Sequence, residues 1–294
     1  MKTLTIVSGK GGVGKSSIAA SLSVLLSRER RIVAVDCDVD ASNFPLLFGV
    51  NELGKRERVS TNYKAFVNKN AKACKNIVDA CAFSAISWNK EKALPEINRF
   101  LCEGCGTCKL LCKDGISLKR VKNAVVGESK TRYGFPVISG QLEMGESGSG
   151  NVVDLVKERA RKIAEKQGAD LMVVDSAAGI GCPVIASVRE SHFVIGVTEP
   201  TPSGLSDLKR VFEVVRHFGI RHGIVINKHD LNPGFTKHIE DFASKNGIPI
   251  LGKLPYDREF VRAMVDLKPL VVYNKGFEHH FRKILAEVNK ATRL

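Results

Sequence analysis

The amino-acid sequence predicts an α/β protein with a doubly wound, mostly parallel sheet and a small inserted α+β domain. Three observations lead to this class. Apolar β-rich runs alternate with helical patterns, a glycine-rich loop joins the first run to the first helix, and a polar, cysteine-rich stretch interrupts the alternation. Strands that alternate with helices form parallel sheets covered on both faces. We therefore assign residues 1–54 and 119–294 to the main domain and residues 55–118 to the insert.

The glycine-rich loop at the start of the chain is typical of a phosphate-binding loop. It reads Gly9-Lys10-Gly11-Gly12-Val13-Gly14-Lys15-Ser16 and is followed by Ser17. An apolar run over 4–7 precedes it, and a helical pattern over 15–27 follows. Glycines let backbone N–H groups approach an anion, and the helix N-terminus adds partial positive charge. We expect residues 11–17 to bind nucleotide phosphates, with Lys15 on the β- and γ-phosphates and Ser16 on Mg²⁺.

Acidic residues follow two later apolar runs that the pattern predicts as strands. Asp36 and Asp38 come after the run 32–35, and Asp175 closes the run 171–174 just before Gly179. Open α/β sheets bind ligands at the carboxyl ends of their strands. We expect the three carboxylates to hold Mg²⁺ directly or through water, and Asp38 to position the attacking water. The Gly179 N–H is expected to sense the γ-phosphate.

A purine-binding segment is predicted at the end of a further strand. Asn227 begins the tetrad Asn-Lys-His-Asp after the apolar run 223–226. Its side-chain amide suits the edge of a purine. The tetrad also matches the guanine-reading pattern, in which the aspartate accepts from the ring, so GTP stands as the alternative to ATP.

Periodicity predicts the rest of the main domain as further alternating elements. Residues 121–143 are predicted as a β-hairpin. Helices are predicted over 152–167, 184–190, 203–218 with Ser203 as its cap, 233–246, 257–265 and 276–291, and strands over 193–197 and 248–254.

Composition narrows the classes of partner and location. Of the 294 residues, 44% are hydrophobic and 26% charged, with a net charge of +14. The basic residues are scattered without interleaved aromatics, and no apolar run reaches the ~18 residues of a membrane span. We expect neither nucleic acid nor a membrane as partner. The segment 1–8 is too short for a secretory signal, so we expect a cytoplasmic protein.

The main-domain motifs resemble the deviant-Walker-A ATPases of the MinD/ParA type. The likeness rests on residues 10–17, on Asp36 with Asp38, and on residues 175–179. It implies ATP as the nucleotide, Asn227 and the Pro255 region around the base, and Asp38 as a catalytic carboxylate beside Lys15. It also implies that Lys10 is catalytic and contacts phosphate across a nucleotide-sandwich dimer, formed with a second copy or a related ATPase.

The insert carries the cysteine spacing of a ferredoxin. Cys102, Cys105, Cys108 and Cys112 follow the pattern in which three thiolates hold one cubane and the fourth serves another cluster. In a cytoplasmic protein such cysteines indicate metal ligands or thiols rather than disulfides. Zinc is the alternative metal, because paired CxxC motifs also bind zinc.

Only part of a second cysteine run precedes this one. Alignment places its four positions at Ala71, Cys74, Ile77 and Cys81. We predict one [4Fe–4S] cluster on Cys81, Cys102, Cys105 and Cys108, because the fourth cysteine of each run serves the other cluster. Cys74 and Cys112 then remain as a vestigial second site, and we favour buried thiols there over an oxidised pair.

The combination of loop and insert resembles the MinD-superfamily ATPases that contain an inserted ferredoxin domain. The resemblance implies a MgATP-dependent dimerising switch coupled to the cluster, in ATP-gated electron transfer or in metal-cofactor and Fe–S maturation. A redox protein or a maturation protein is then the partner. The alternatives are an ATP-controlled carrier or scaffold for Fe–S or metal, and a MinD/ParA-like positioning ATPase with a structural cluster.

Overall fold

A computed structural model describes residues 1–292 as alternating strands and helices around one large sheet. The strands are β1 (Lys2–Ser8), β2 (Ile32–Cys37), β3 (Lys55–Val59), β4 (Asn62–Val67), β5 (Ile86–Asn89), β6 (Leu94–Ile97), β7 (Ile116–Val121), β8 (Ala124–Lys130), β9 (Pro136–Leu142), β10 (Leu171–Ala178), β11 (Phe193–Thr198), β12 (His222–Ile226) and β13 (Ile250–Lys253). The α-helices are α1 (Lys15–Ser27), α2 (Thr107–Leu111), α3 (Ser149–Gln167), α4 (Cys182–Val188), α5 (Pro202–His217), α6 (Pro233–Lys245), α7 (Glu259–Val265), α8 (Leu270–Tyr273) and α9 (Glu278–Thr292). Short 3₁₀ helices cover Phe44–Phe48, Lys69–Ala73, Lys75–Ile77 and Lys275–Phe277.

The large sheet is mostly parallel. Within residues 1–292 its nine strands run in the order β13-β12-β11-β1-β10-β2-β9-β8-β3. Every pair from β13 to β9 is parallel, whereas β9, β8 and β3 pair antiparallel. The prediction of a mostly parallel sheet is confirmed. The parallel strands end at one edge, which is where ligands bind in such folds.

Helices cover both faces of this sheet. On one face α1, α8 and α9 pack over apolar side chains such as Leu4, Ile6 and Ala34, all nearly inaccessible to water. On the other face α3, α4, α5 and α6 cover a second set, which includes Val35 and Val194. Neighbouring residues of one strand thus contribute to opposite cores, as the alternation of side chains along a strand requires.

The cysteine-rich segment forms its own small sheets and core. Strands β4 and β7 pair antiparallel, and so do β5 and β6. Side chains from these strands pack with several cysteines into a separate apolar cluster. The segment lies beside the N-terminus of α3, where Asn62 donates to the Ser147 hydroxyl and Asn151 donates to the Thr61 carbonyl.

Two local predictions differ from the structure. Lys55 was expected to begin the insert, but Lys55–Val59 pairs with β8 as the edge strand of the large sheet. Its side chains are mostly exposed because an edge strand needs no apolar alternation, so the sequence hides it. Helix α5 was expected to be capped by Ser203. The cap is Thr201, whose hydroxyl accepts from the Gly204 N–H at 3.0 Å, and Pro202 occupies the first turn.

The helices bear directly on the prediction about membrane spans. Among residues 1–292 there is no helix with both the length and the apolar character needed to cross a membrane.

Candidate functional site

The loop between β1 and α1 takes the conformation that its glycines permit. Gly12 and Gly14 have φ of 78° and 91°, and Gly14 immediately precedes α1. A Cβ on Gly14 would lie 2.5 Å from Nδ2 of Asn227, and one on Gly9 would lie 2.3 Å from the backbone carbon of Asp207. Glycine is therefore required here both by backbone conformation and by close packing.

A buried ion pair lies directly below this loop. Nζ of Lys15 is 2.6 Å from Oδ1 of Asp175, and the two side chains are 7% and 0% exposed. Lys15 also donates to the Ser16 hydroxyl at 3.3 Å. Oδ2 of Asp175 is buried and accepts no hydrogen bond from the described residues. An uncommitted carboxylate oxygen beside the loop suits a water in the shell of a bound Mg²⁺.

Asp36 lies on the strand next to Asp175, in register with it. Its carboxylate is fully buried and accepts from the backbone N–H groups of Asp38 and Phe44 at 3.0 and 3.1 Å, and from the Ser42 hydroxyl at 3.0 Å. Burial, together with the charge of Asp175, raises the pKa of Asp36 to about 7. Burial likewise raises the pKa of Asp38, against the opposing effect of Lys15. The structure thus brings three predicted carboxylates to one place.

We expect the raised pKa of Asp36 to make the nucleotide-free, Mg²⁺-free chain less stable at higher pH. Since its pKa is 3.8 unfolded and about 7 folded, only the folded chain keeps the proton between these values. The stability that this protonated carboxyl contributes should therefore be lost as pH rises through that window, with no further loss above it. The free energy of unfolding from urea titrations should fall less with pH in Asp36→Asn. Asp40→Asn, at an exposed position, should keep the wild-type slope. An unchanged slope in Asp36→Asn would contradict this assignment.

Lys10, which precedes Lys15 in the loop, makes contacts that the sequence did not predict. Its ammonium is 2.7 Å from Oε1 of Glu199 and donates to the Ser203 hydroxyl at 3.3 Å. Oε2 of Glu199 pairs with Lys228 at 2.8 Å, and Lys228 also donates to the Gly12 carbonyl at 3.1 Å. These lysines lower the pKa of Glu199 against the effect of its burial. Glu199 follows the end of β11, a signal that the sequence did contain.

The predicted γ-phosphate sensor, Gly179, lies just after β10. Its N–H donates to the Ser8 carbonyl at 2.9 Å, and its φ is 94°. Helix α4 begins three residues later at Cys182, which is exposed. In this state the Gly179 N–H is bonded to β1, so its role as a sensor stays a prediction.

The residues of the predicted base-binding tetrad make hydrogen bonds to the backbone of neighbouring loops. Nδ2 of Asn227 donates to the Val13 carbonyl at 2.9 Å, and the side chain is 2% exposed. Oδ1 of Asp230 accepts from the Tyr256 N–H at 2.6 Å and so fixes the loop that contains Pro255. Asn227 therefore positions the phosphate loop, and its contact with a base stays a prediction.

The four predicted cluster ligands line one small apolar cavity of about 20 Å³ in the insert. Cys81, Cys102, Cys105 and Cys108 share this cavity with Ile86, Leu118 and other apolar side chains. Burial raises the pKa of Cys108, and the sulfurs of Cys102, Cys105 and Cys81 add to the rise. The backbone N–H and hydroxyl of Thr107 lower the pKa of Cys105. Within residues 1–292, however, no group of three or more His, Cys, Asp or Glu side chains is arranged to hold a metal ion. The cluster stays a prediction.

The other two cysteines of the insert form a disulfide, which corrects the preference for free thiols. Cys74 and Cys112 are bonded, with their Cα atoms 5.9 Å apart. The alignment that assigned both to one vestigial site already implied their proximity, but spacing alone does not determine oxidation state. Ala71 and Ile77, at the two missing cysteine positions, are fully buried in the core of the insert. Apolar packing thus fills this half.

Comparisons with known proteins agree with the nucleotide site. A profile described as "CobQ/CobB/MinD/ParA nucleotide binding domain" matches residues 4–270. An uncharacterised protein of Methanocaldococcus jannaschii is 40% identical over 78% of this chain and 79% of its own length. A putative septum site-determining protein MinD of Oltmannsiellopsis viridis is 25% identical over 97% of this chain and 76% of its own.

A solved structure shares the fold. It is the septum site-determining protein MinD of Pyrococcus horikoshii in complex with Mg-ADP, which matches 98% of this chain and 96% of its own with a TM-score of 0.58 and 21% identity. The family profile spans most of the chain, including the loop, both strand-end aspartates and Asn227. The chain is a P-loop ATPase that belongs to the CobQ/CobB/MinD/ParA nucleotide-binding family.

Proposed function

We propose that this ATPase is a MgATP-dependent dimerising switch whose insert holds one [4Fe–4S] cluster. The observation that supports a dimerising switch is the presence of Lys10 in the loop in addition to Lys15. Lys15 is buried against Asp175, whereas Lys10 is 31% exposed and reaches Glu199. Because Lys15 is placed to bind the phosphates of its own subunit, Lys10 is available to bind the phosphates of a partner subunit. ATP would draw two subunits together, and hydrolysis would release them.

The carboxylates beside the loop suit a magnesium-bound triphosphate. Ser16, Asp36, Asp38 and Asp175 would hold Mg²⁺ directly or through water, and the ion would neutralise the charge that develops on the phosphates. Oxygen donors of this kind are those that Mg²⁺ prefers. The solved Pyrococcus relative was crystallised with Mg-ADP, which supports an adenine nucleotide.

The cysteine cavity supports a single cluster rather than two. The fourth ligand, Cys81, comes from the first half of the insert and meets the three cysteines of the second half in one cavity. The order β4-β5-β6-α2-β7 with antiparallel pairs suits a ferredoxin-like unit. The Ala85 N–H lies 3.4 Å from the Cys81 sulfur and would donate to it. Such hydrogen bonds tune the potential of bound clusters.

A second candidate is a MinD/ParA-like positioning ATPase in which the cluster is structural. This candidate is supported by two similar proteins, because the Oltmannsiellopsis relative and the Pyrococcus structure are both named as MinD. ATP-dependent binding to liposomes or DNA would favour this candidate. A reduction potential that changes with MgATP would favour coupled electron transfer, and a cluster that passes to apo-proteins under ATP control would favour a carrier.

We expect MgATP, but not MgADP, to dimerise the protein. The physical reason is that Lys10 gains a phosphate contact only when a second subunit presents a γ-phosphate. Sedimentation velocity of anaerobically purified protein, with each nucleotide in turn, measures the change in mass. A single chain with both nucleotides would overturn the homodimeric switch.

A further inference from the structure

The insert contains a fully buried lysine, Lys64, that the nucleotide site and the cysteine cavity do not require. Its ammonium donates to the carbonyls of Arg99 and Cys102 at 2.9 and 2.8 Å, and Oε2 of Glu146 lies 3.4 Å away. A buried charge is costly to remove from water, and pairing it adds little net stability. Of its three partners, Arg99 precedes the predicted cluster ligands, Cys102 is one of them, and Glu146 belongs to the main domain.

The third partner, Glu146, lies in the loop 143–148 that leads into α3. Asn62, two residues before Lys64, donates to the Ser147 hydroxyl of the same loop at 2.8 Å. A Cβ on Gly145 would lie 2.2 Å from the ring of Phe100, which therefore packs directly on the loop. The loop thus contacts both β4 and the segment that leads to Cys102.

Helix α3 then connects this loop to residues 179–182, which we call the nucleotide switch because they contain the predicted γ-phosphate sensor, Gly179. At its first turn, a Cβ on Gly150 would lie 3.3 Å from Cβ of Cys182, the first residue of α4. Further along, the buried ammonium of Lys157 donates to the carbonyls of Ala186, Ser187 and Arg189 at the end of α4, at 2.8, 3.0 and 2.6 Å. Helix α4 begins three residues after Gly179, so α3 and the switch are tied at both ends of α4.

We propose that Lys64 is a positioning residue through which nucleotide state is transmitted from the switch to the cysteine cavity. The proposal rests on the MgATP-dependent dimerising switch of the proposed function, but it does not require the cluster. Displacement of residues 179–182 on γ-phosphate binding carries α4 and α3 together, because Lys157 joins them. The loop 143–148 moves with α3, and Glu146 and Lys64 pass the movement to the Cys102 carbonyl.

Hydrogen–deuterium exchange of the anaerobically purified full chain tests this link. We expect the exchange of peptides covering residues 99–108 to differ about fivefold or more between MgATP and MgADP. Lys64→Met should reduce this ratio to near one while leaving ATP binding intact. The ratio, not the overall exchange level, is the readout, because a merely structural lysine would alter both nucleotide states equally.

Two further variants keep the test decisive. Glu146→Gln preserves shape and the carbonyl bonds of Lys64, so it should fold and still lower the ratio. Lys119→Met changes an exposed lysine opposite Lys64 in the β4–β7 register and should keep the wild-type ratio. The proposal would be overturned if the wild-type protein itself gave a ratio near one. It would also be overturned if Lys64→Met and Glu146→Gln both gave the same ratio as the wild type. Sedimentation separately reports failure of the dimerising switch, and iron content reports failure of the cluster.

Discussion

Lys10→Ala will lower the rate of MgATP hydrolysis about 100-fold or more, because cations supplied across an interface stabilise the charge of a phosphoryl-transfer transition state. The MgATP affinity of the single chain should change little, since Lys15 keeps its place beside Asp175. The fold should also tolerate the change. Lys10 is partly exposed, Glu199 retains Lys228 as a partner, and ion pairs at such positions contribute at most about 1 kcal/mol.

Steady-state phosphate release, isothermal titration of a slowly hydrolysed ATP analogue and sedimentation separate these effects. Lys209→Ala provides the matched control, because Lys209 is an exposed lysine of α5 whose ammonium lies over the Phe242 ring, away from Glu199. Its hydrolysis and dimerisation should be those of wild type. If Lys10→Ala hydrolyses ATP at the normal rate as a dimer, the lysine has no role across the interface.

The proximity of the loop, the aspartates and Asn227 could be predicted from sequence because these residues follow strand ends. Asp36 and Asp175 lie on adjacent strands in register, and Asn227 reaches the Val13 carbonyl from β12. Parallel topology brings such positions to one edge whatever the details of packing. Glu199 also follows a strand end, but one glutamate between a threonine and a proline carries no motif, and only the structure shows that it pairs two lysines.

What the sequence could not predict depends on packing between distant segments. Lys64 and Lys157 read as surface lysines within polar stretches, yet both are buried with carbonyl partners far along the chain. The disulfide between Cys74 and Cys112 likewise depends on side-chain placement rather than spacing. Long-range polar contacts of this kind leave no periodic signal in the sequence. Knowing one residue of such a contact therefore does not identify its partner.

Anaerobic protein should contain about four iron and four sulfide per chain, and Cys105→Ser should lose most of both. Cys105 is one of four thiols around the cavity, and a serine hydroxyl is a poor substitute for a thiolate because it stays protonated at neutral pH. Iron and acid-labile sulfide analysis, with the visible absorbance of the cluster, measures the loss. Gly104→Ala should act in the same direction, because a Cβ there would lie 2.1 Å from the Tyr63 carbonyl oxygen and would displace the loop between Cys102 and Cys105.

Cys112→Ser is the matched control for Cys105→Ser, because it makes the same chemical change in the same insert. Its sulfur is bonded to Cys74, and Ala71 and Ile77 fill the space around that pair, so it should keep about four iron per chain. Equal iron loss in the two variants would make Cys112 a ligand and revive the second site, as would about eight iron per chain in the wild type. Zinc in place of iron and sulfide would leave the cavity as a four-thiolate zinc site, without electrons for the nucleotide switch to control.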